Sequence, residues 1–350
     1  MTIITNLIIF ILILGAIVCI HEFGHFLFAK LTGVYVYEFS IGMGPKIFGH
    51  KDKKGETEYC LRLIPIGGFV QLAGEEIEDD KNIPKDRKLQ AKKPWQKFLI
   101  MFFGPAFNFI FAFIIILLVS LIWGHTSYKP TISNTTKNYP AYEVGLKKGD
   151  TIIEINNHKI STLDDASLYL TLSDPGKKTK IKVKTKDNKT KTYSIKPKKE
   201  KVKKEVTYKY GIEFKSTKEH GFLSSIKYTF VKMKSLFRQM FVTVEYLFTG
   251  RVKVNQLSGP VGIYQIVGTQ AKSGLSSILF LMAYLSINVG FINLIPLPAF
   301  DGGHILFTII EMIRRKPVKP EIENTIHTIG LYLLMALMLY ITINDIIKLF

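Results

Sequence analysis

The run His21-Glu22-Phe23-Gly24-His25 sets two imidazoles four residues apart with a carboxylate beside the first. On a helix, positions i and i+4 share a face, so His21 and His25 can grip one zinc ion while Glu22 reaches a water on it. Zinc brings the pKa of such a water down to about 7, and a neighbouring carboxylate can then take its proton. A catalytic site of this kind needs a third protein ligand and an open fourth position. Asp301, in the stretch Asn293 to His304 (NLIPLPAFDGGH), is the best candidate. Pro296 and Pro298 break helical continuity there, while Gly302 and Gly303 allow a tight backbone, so a carboxylate can be presented where irregular chain lines a cavity. Spacing alone leaves Asp301 equally readable as a helix N-cap, with His304 as a lesser rival ligand.

Five residues are a weak motif, and their setting strengthens it. Residues 3 to 28 are almost uninterruptedly apolar, about the 20 or so residues that cross a bilayer. Each ionisable group in hydrocarbon costs about 2.5–3.5 kcal/mol on insertion scales, so three in one apolar helix require a purpose. The bland alternative is a polar helix end snorkelling to the interface. A signal peptide is excluded by the missing positive n-region and by the position of the motif itself. Three more apolar runs follow, at about 98–123, 278–297 and 326–347, which predict four transmembrane helices. The chain is 47% hydrophobic yet carries a formal net charge of +19, and the two properties are segregated along it. Cys19 and Cys60 form neither a disulfide framework nor a CxxC metal motif.

Lysine and arginine near the span ends orient the chain. Lys30, Lys46 and Lys51, then Lys92, Lys93 and Lys97, make the first loop basic, as Arg314-Arg315-Lys316 does the last. Both loops are therefore expected in the cytoplasm, with the N-terminus and the 124–274 segment outside. Residues 33–74 alternate β-rich runs with Gly and Pro, which predicts hairpins tucked against the membrane. The span 127–216 holds 21 Lys against 10 Asp plus Glu. Those lysines read more simply as solvated strand faces than as a nucleic-acid site, so no nucleic-acid partner is expected. This segment resembles a bacterial PDZ domain in its core GLKKGDTIIEIN. Residues 222–248 mix apolar and basic positions (Ile226, Phe230, Met233, Phe237; Lys227, Lys232, Lys234, Arg238), as a helix on the outer membrane surface would.

Taken in order, HEFGH, FSIGMGP, IPIGGFV, FFGPAFN, the PDZ-like core, LSGPVGI and NLIPLPAFDGG resemble the site-2 protease family, and its RseP-type intramembrane proteases most. The likeness runs from about residue 15 to 310. It implies one zinc ion held by His21, His25 and Asp301, with Glu22 as catalytic base and Asn293 near the substrate or its oxyanion. It also implies transmembrane substrates, such as trimmed anti-sigma factors or remnant signal peptides, and a home in a bacterial cytoplasmic membrane with the active site toward the cytoplasm. The usual Leu-Asp-Gly is Phe300-Asp301-Gly302 here, which spares the ligand, and there is room for one PDZ domain only.

The expected architecture is thus a multi-pass α-helical membrane protein with four transmembrane helices, a membrane-associated β-hairpin loop and one extracytoplasmic PDZ domain. Residues 1–126 form the first half of the membrane core, 127–216 the PDZ domain, 217–274 an amphipathic helix and linker, and 275–350 the second half. A substrate segment unwound from its helix would add as a strand to the β-loop, so prolines at Val36 or Phe69 should impair cleavage. The chief alternative is a catalytically silent PDZ adaptor, against which the intact Glu22 argues. A desaturase-like iron enzyme would need several histidine clusters, whereas this chain has eight histidines and one helical pair. A zincin with glutamate as third ligand is disfavoured by NLIPLPAFDGG.

Overall fold

A computed structural model describes residues 2–75, 82–202, 205–215, 217–251 and 257–348. Two compact units emerge, residues 1–116 with 244–350, and residues 117–243. Helix α1 (Ile3–Leu31) starts at Thr2, whose side chain accepts from Thr5 N, and ends at Thr32, whose N–H bonds back to Phe28 and Lys30. It is apolar all round, and Ile3, Ile4, Ile8 and Leu12 are exposed, as lipid-facing residues would be.

Strands β1 (Val36–Lys51) and β2 (Glu58–Leu72) follow as one antiparallel pair. Both are bent. Phe39 to Ile41 lie beside Val70 to Gly68 and also beside Tyr59 to Leu61, while Phe48 to Lys51 pair with Leu61 to Glu58. The expected hairpins therefore curl into a single small sheet. Its bends fall at glycines that take left-handed φ, Gly42 at +87° and Gly67 at +83°, where a side chain would be strained. The sheet packs on α1, because a Cβ on Gly15 would lie 2.8 Å from the Pro65 carbonyl oxygen. Helix α2 (Pro94–Trp123) carries Pro105 in its interior.

In the second unit come β3 (His125–Thr126), β4 (Ile132–Thr135), α3 (Pro140–Glu143), β5 (Thr151–Ile155), β6 (His158–Lys159), α4 (Leu163–Thr171), β7 (Thr179–Lys184) and β8 (Thr190–Ile195). Strands β9 (Lys198–Val202), β10 (Glu205–Lys209), β11 (Ile212–Phe214) and β12 (Lys218–Glu219) lead to α5 (Phe222–Phe248). Among them is a four-stranded sheet in the order β6-β5-β7-β8. In β7 the buried Thr179, Ile181 and Val183 alternate with Lys180, Lys182 and Lys184, so pleating carries the lysines to the other face. Thr162 and Asp165 form a capping box on α4. Against it, Arg238 and Ser235 of α5 each bond the fully buried Asp165 carboxylate at 2.9 Å, and Lys232 pairs with Asp164. Two of the four basic residues assigned to a membrane surface thus hold a neighbouring helix instead.

The first unit is completed by α6 (Pro260–Lys272), α7 (Leu275–Leu294), α8 (Asp301–Arg314) and α9 (Pro320–Ile347). Helix α7 stops at Leu294, three residues before the expected end, because Pro296 and Pro298 deny it further hydrogen bonds. Helices α1, α2, α7 and residues 321–347 of α9 are long and apolar enough to cross a membrane. This is the architecture of a membrane protein.

Candidate metal centre

Helix α1 places His21 and His25 on one buried face, with Nε2 atoms 3.2 Å apart. Asp301, the first residue of α8, brings one carboxylate oxygen to 3.1 Å from His21 Nε2 and the other to 3.5 Å from His25 Nε2. The N-cap of α8 is Phe300, so Asp301 caps nothing and its carboxylate is turned to the imidazoles. His304, the rival, looks elsewhere: its Nδ1 is 2.9 Å from Glu323 and its ring stacks on His327.

Close helix approach makes this convergence possible. A Cβ on Gly24 would meet the Phe103 carbonyl oxygen at 2.1 Å, and one on Gly104 would strike the His25 ring at 2.2 Å. Only glycine at both positions lets α1 and α2 touch, with Phe28 and Phe103 stacked 3.5 Å apart beside them. At Gly302 a Cβ would fall 2.1 Å from the Ile295 carbonyl oxygen, which accounts for the glycine after the aspartate.

The outer ring nitrogens are also engaged. His25 Nδ1 donates to the Ile100 carbonyl at 2.9 Å, which leaves Nε2 as a lone-pair donor. His21 Nδ1 lies 3.1 Å from the Asn108 amide, whose backbone carbonyl accepts from Ser286 Oγ at 2.9 Å. The amide nitrogen faces the ring, so Asn108 Nδ2 donates to Nδ1; turned over, its oxygen would accept from Nδ1–H and free the His21 Nε2 in the same way. The sequence reading gave Asn108 no role, although it ends the FFGPAFN run. Glu22 Oε2 accepts from Val70 N at 3.2 Å, which ties the residue after His21 to the β-sheet. Asn293 sits half-buried in the last turn of α7, and its side chain makes no hydrogen bond to another described residue.

Two imidazoles and a carboxylate that face one another this closely fit a cation. Tetrahedral zinc with arms of about 2.0–2.1 Å sets its ligand atoms about 3.3 Å apart. The separations here, 3.1, 3.2 and 3.5 Å, match that edge. Elsewhere, Glu38, Glu58 and Cys60 gather, but burial and the adjacent Glu38 push the Cys60 thiol up to about 11. Glu38 and Glu58 are already paired with Arg62 and Lys46, so both carboxylates of that group are held by cations of the chain itself.

The profile of peptidase family M50 matches residues 9–337. The chain belongs to peptidase family M50, the site-2 proteases. A Clostridium perfringens protein named as a zinc metalloprotease is 38% identical, over 96% of this chain and 97% of its own. One from Staphylococcus aureus is 35% identical with both chains fully covered. The regulator of sigma-W protease RasP from Bacillus subtilis is 33% identical over 99% of each. This M50 chain is accordingly a zinc metalloprotease, and His21, His25 and Asp301 form a donor group whose spacing fits such a metal.

Proposed function

We propose that this chain is an intramembrane endopeptidase cutting peptide bonds within transmembrane segments, with His21, His25 and Asp301 holding one zinc ion. The observation that carries the reading is the meeting of these three donor groups at the lipid-facing helix α1, with Glu22 next to His21. When bound, zinc acidifies a water and polarises the scissile carbonyl. Glu22 acts as base: Val70 N–H holds one carboxylate oxygen and leaves the other for the proton. His25 is kept in one tautomer by the Ile100 carbonyl, and the Asn108 amide, turned so that its oxygen accepts from Nδ1–H, would do the same for His21. Asn293 donates to the developing oxyanion from the end of α7.

A transmembrane helix hides its peptide bonds, so the substrate must unwind and be held extended. Val70 N–H points to Glu22 and not to β1, so the side of the Gly68–Leu72 strand away from β1 faces the proposed active site. An added substrate strand would pair there. Val36 lies within the sheet, opposite Leu72, so a proline there would test the sheet's integrity more than substrate docking. Residues 127–216 act as an extracytoplasmic PDZ domain that excludes untrimmed substrates. A cavity of about 320 Å³ beside Tyr210, Gly211 and Ile212 supports such a groove. The N-terminus lies outside, and the active site toward the cytoplasmic side. Substrates are trimmed anti-sigma factors or remnant signal peptides; the name of the Bacillus relative favours the first.

The test is cleavage of a transmembrane peptide by purified wild type beside Glu22→Gln, with zinc measured on both. Loss of a general base costs about 10²–10⁴ in rate, so only the wild type should cleave while both hold zinc. A wild type without zinc would sink the reading and bring the PDZ adaptor forward.

A further inference from the structure

Asp301 depends on the six residues before it, and those are an unusual piece of chain. Between α7 and α8, Pro296 and Pro298 each lack an N–H, and Ala299 takes φ +75°. An L residue adopts that left-handed conformation when its surroundings impose it. Within the segment, Leu297 N bonds Ile295 O at 2.7 Å and Gly303 N bonds Phe300 O at 2.9 Å. Ala299 N–H is different: it donates 3.1 Å to His327 Nδ1 on α9.

The imposing surroundings come from the last span. The His327 ring stacks on His304 of α8 at 3.8 Å and 13°, and His304 is tied in turn to Glu323, one turn earlier on α9. Gly330 follows His327 by three residues, on the same helix face. A Cβ there would lie 2.3 Å from Pro298 Cβ and 2.8 Å from its carbonyl carbon. Across the ring, a Cβ on Gly303 would lie 2.9 Å from His327 Cε1. Two glycines, one on each helix, thus let Pro298 and the ring pack at backbone distance.

His304, Glu323 and His327 also have the residue types of a second metal site. Proton accounting decides against it. Since Ala299 N–H donates to Nδ1, the neutral His327 ring carries its own proton on Nε2 and has no lone pair left for a cation. That Nε2 is buried without a hydrogen-bond partner among the described residues. The ring is an acceptor held in place.

We propose that His327, with Gly330 beside it, is the positioning device by which α9 holds the strained Pro298–Ala299 segment and so sets Asp301 against His21 and His25. This rests on Asp301 being a zinc ligand. The experiment measures the zinc dissociation constant by chelator competition on full-length protein in detergent. His327→Ala, His327→Asn, Gly330→Ala and Asp301→Ala stand beside wild type, with the unfolding temperature of each metal-free form. His327→Ala and Gly330→Ala are expected to bind zinc at least tenfold more weakly. Asn Oδ1 can replace the Nδ1 acceptor, so His327→Asn should recover most of the affinity, with metal-free unfolding temperatures of both His327 variants close to wild type, while Gly330→Ala, overpacked against Pro298, unfolds at lower temperature. In cleavage assays at saturating zinc, kcat should fall in His327→Ala while KM for the peptide stays level. Wild-type zinc affinity in His327→Ala beside a weakened Asp301→Ala overturns the inference and leaves Asp301's part intact. Wild-type affinity in Asp301→Ala overturns both. Equal losses in His327→Ala and His327→Asn overturn it too, since bulk and not the acceptor would then matter.

Discussion

An imidazole presents a lone pair to a metal only if its other nitrogen holds the proton, so the partners of Nδ1 decide whether His21 and His25 can ligate. His25 uses the carbonyl of Ile100, a backbone group that no side-chain substitution at 100 removes. His21 uses the Asn108 side chain, which is fully buried and bonded through its backbone to Ser286. Asn108→Leu removes the amide whose oxygen, once turned to the ring, can accept from Nδ1–H, and zinc affinity should fall about 10–100-fold, the usual cost of losing such a partner. Asn108→Asp keeps an acceptor and should bind zinc far better than the leucine variant. Chelator competition on both proteins checks this, and equal affinities would mean the amide does not set the tautomer. HEFGH and the aspartate of FDGG were legible as residues because their spacing and types are chemical. Asn108 was not, since its role comes from lying across a helix interface that a linear pattern does not reveal.

At the scale of elements, the metal centre is a matter of how near two helices can come. Gly24 and Gly104 bring the α1 and α2 backbones into contact at the level of His25, and Gly104 is the sharper case because its absent Cβ leaves room for the His25 ring. Gly104→Ala should drive the ring away or the helices apart. Overpacking of this sort costs about 1–3 kcal/mol, so the metal-free protein should unfold at lower temperature and retain little zinc after dialysis. Wild-type zinc retention with unchanged unfolding would show that the interface yields more easily than the packing implies. A second outcome concerns the sheet: Val70→Pro removes the N–H that holds Glu22, so kcat/KM should drop at least about tenfold with zinc content unchanged. Zinc lost in step with activity would point to a collapsed sheet instead. The spans were readable from apolar run length, and α7 ended early for a reason also in the sequence, its prolines. The curled pairing of β1 and β2 was not readable, because four short segments share partners and register there follows from bends at Gly42 and Gly67.

For the whole molecule, the chemistry demands an orientation as well as a fold. The orientation proposed above puts both loops on the cytoplasmic side, as the basic residues flanking the first loop and Arg314, Arg315 and Lys316 at the end of α8 favour. In that orientation the lysine-rich 127–216 segment would lie outside in spite of its charge, since long translocated domains escape the rule that short loops obey. Substrates trimmed outside would then meet residues 127–216 first, and the metal only after their helix has entered the membrane core. The orientation can be read in intact cells from single cysteines placed in a background with Cys19 and Cys60 replaced by serine. A cysteine at Lys189, in the turn between β7 and β8, should react with a membrane-impermeant maleimide from outside. A cysteine at Lys316, exposed after α8, should react only once the cells are opened. The reverse pattern would put the β-sheet and the HEFGH end of α1 on the outer face. A substrate's outer domain and the metal would then share one side, and a size gate built from residues 127–216 would have nothing to separate.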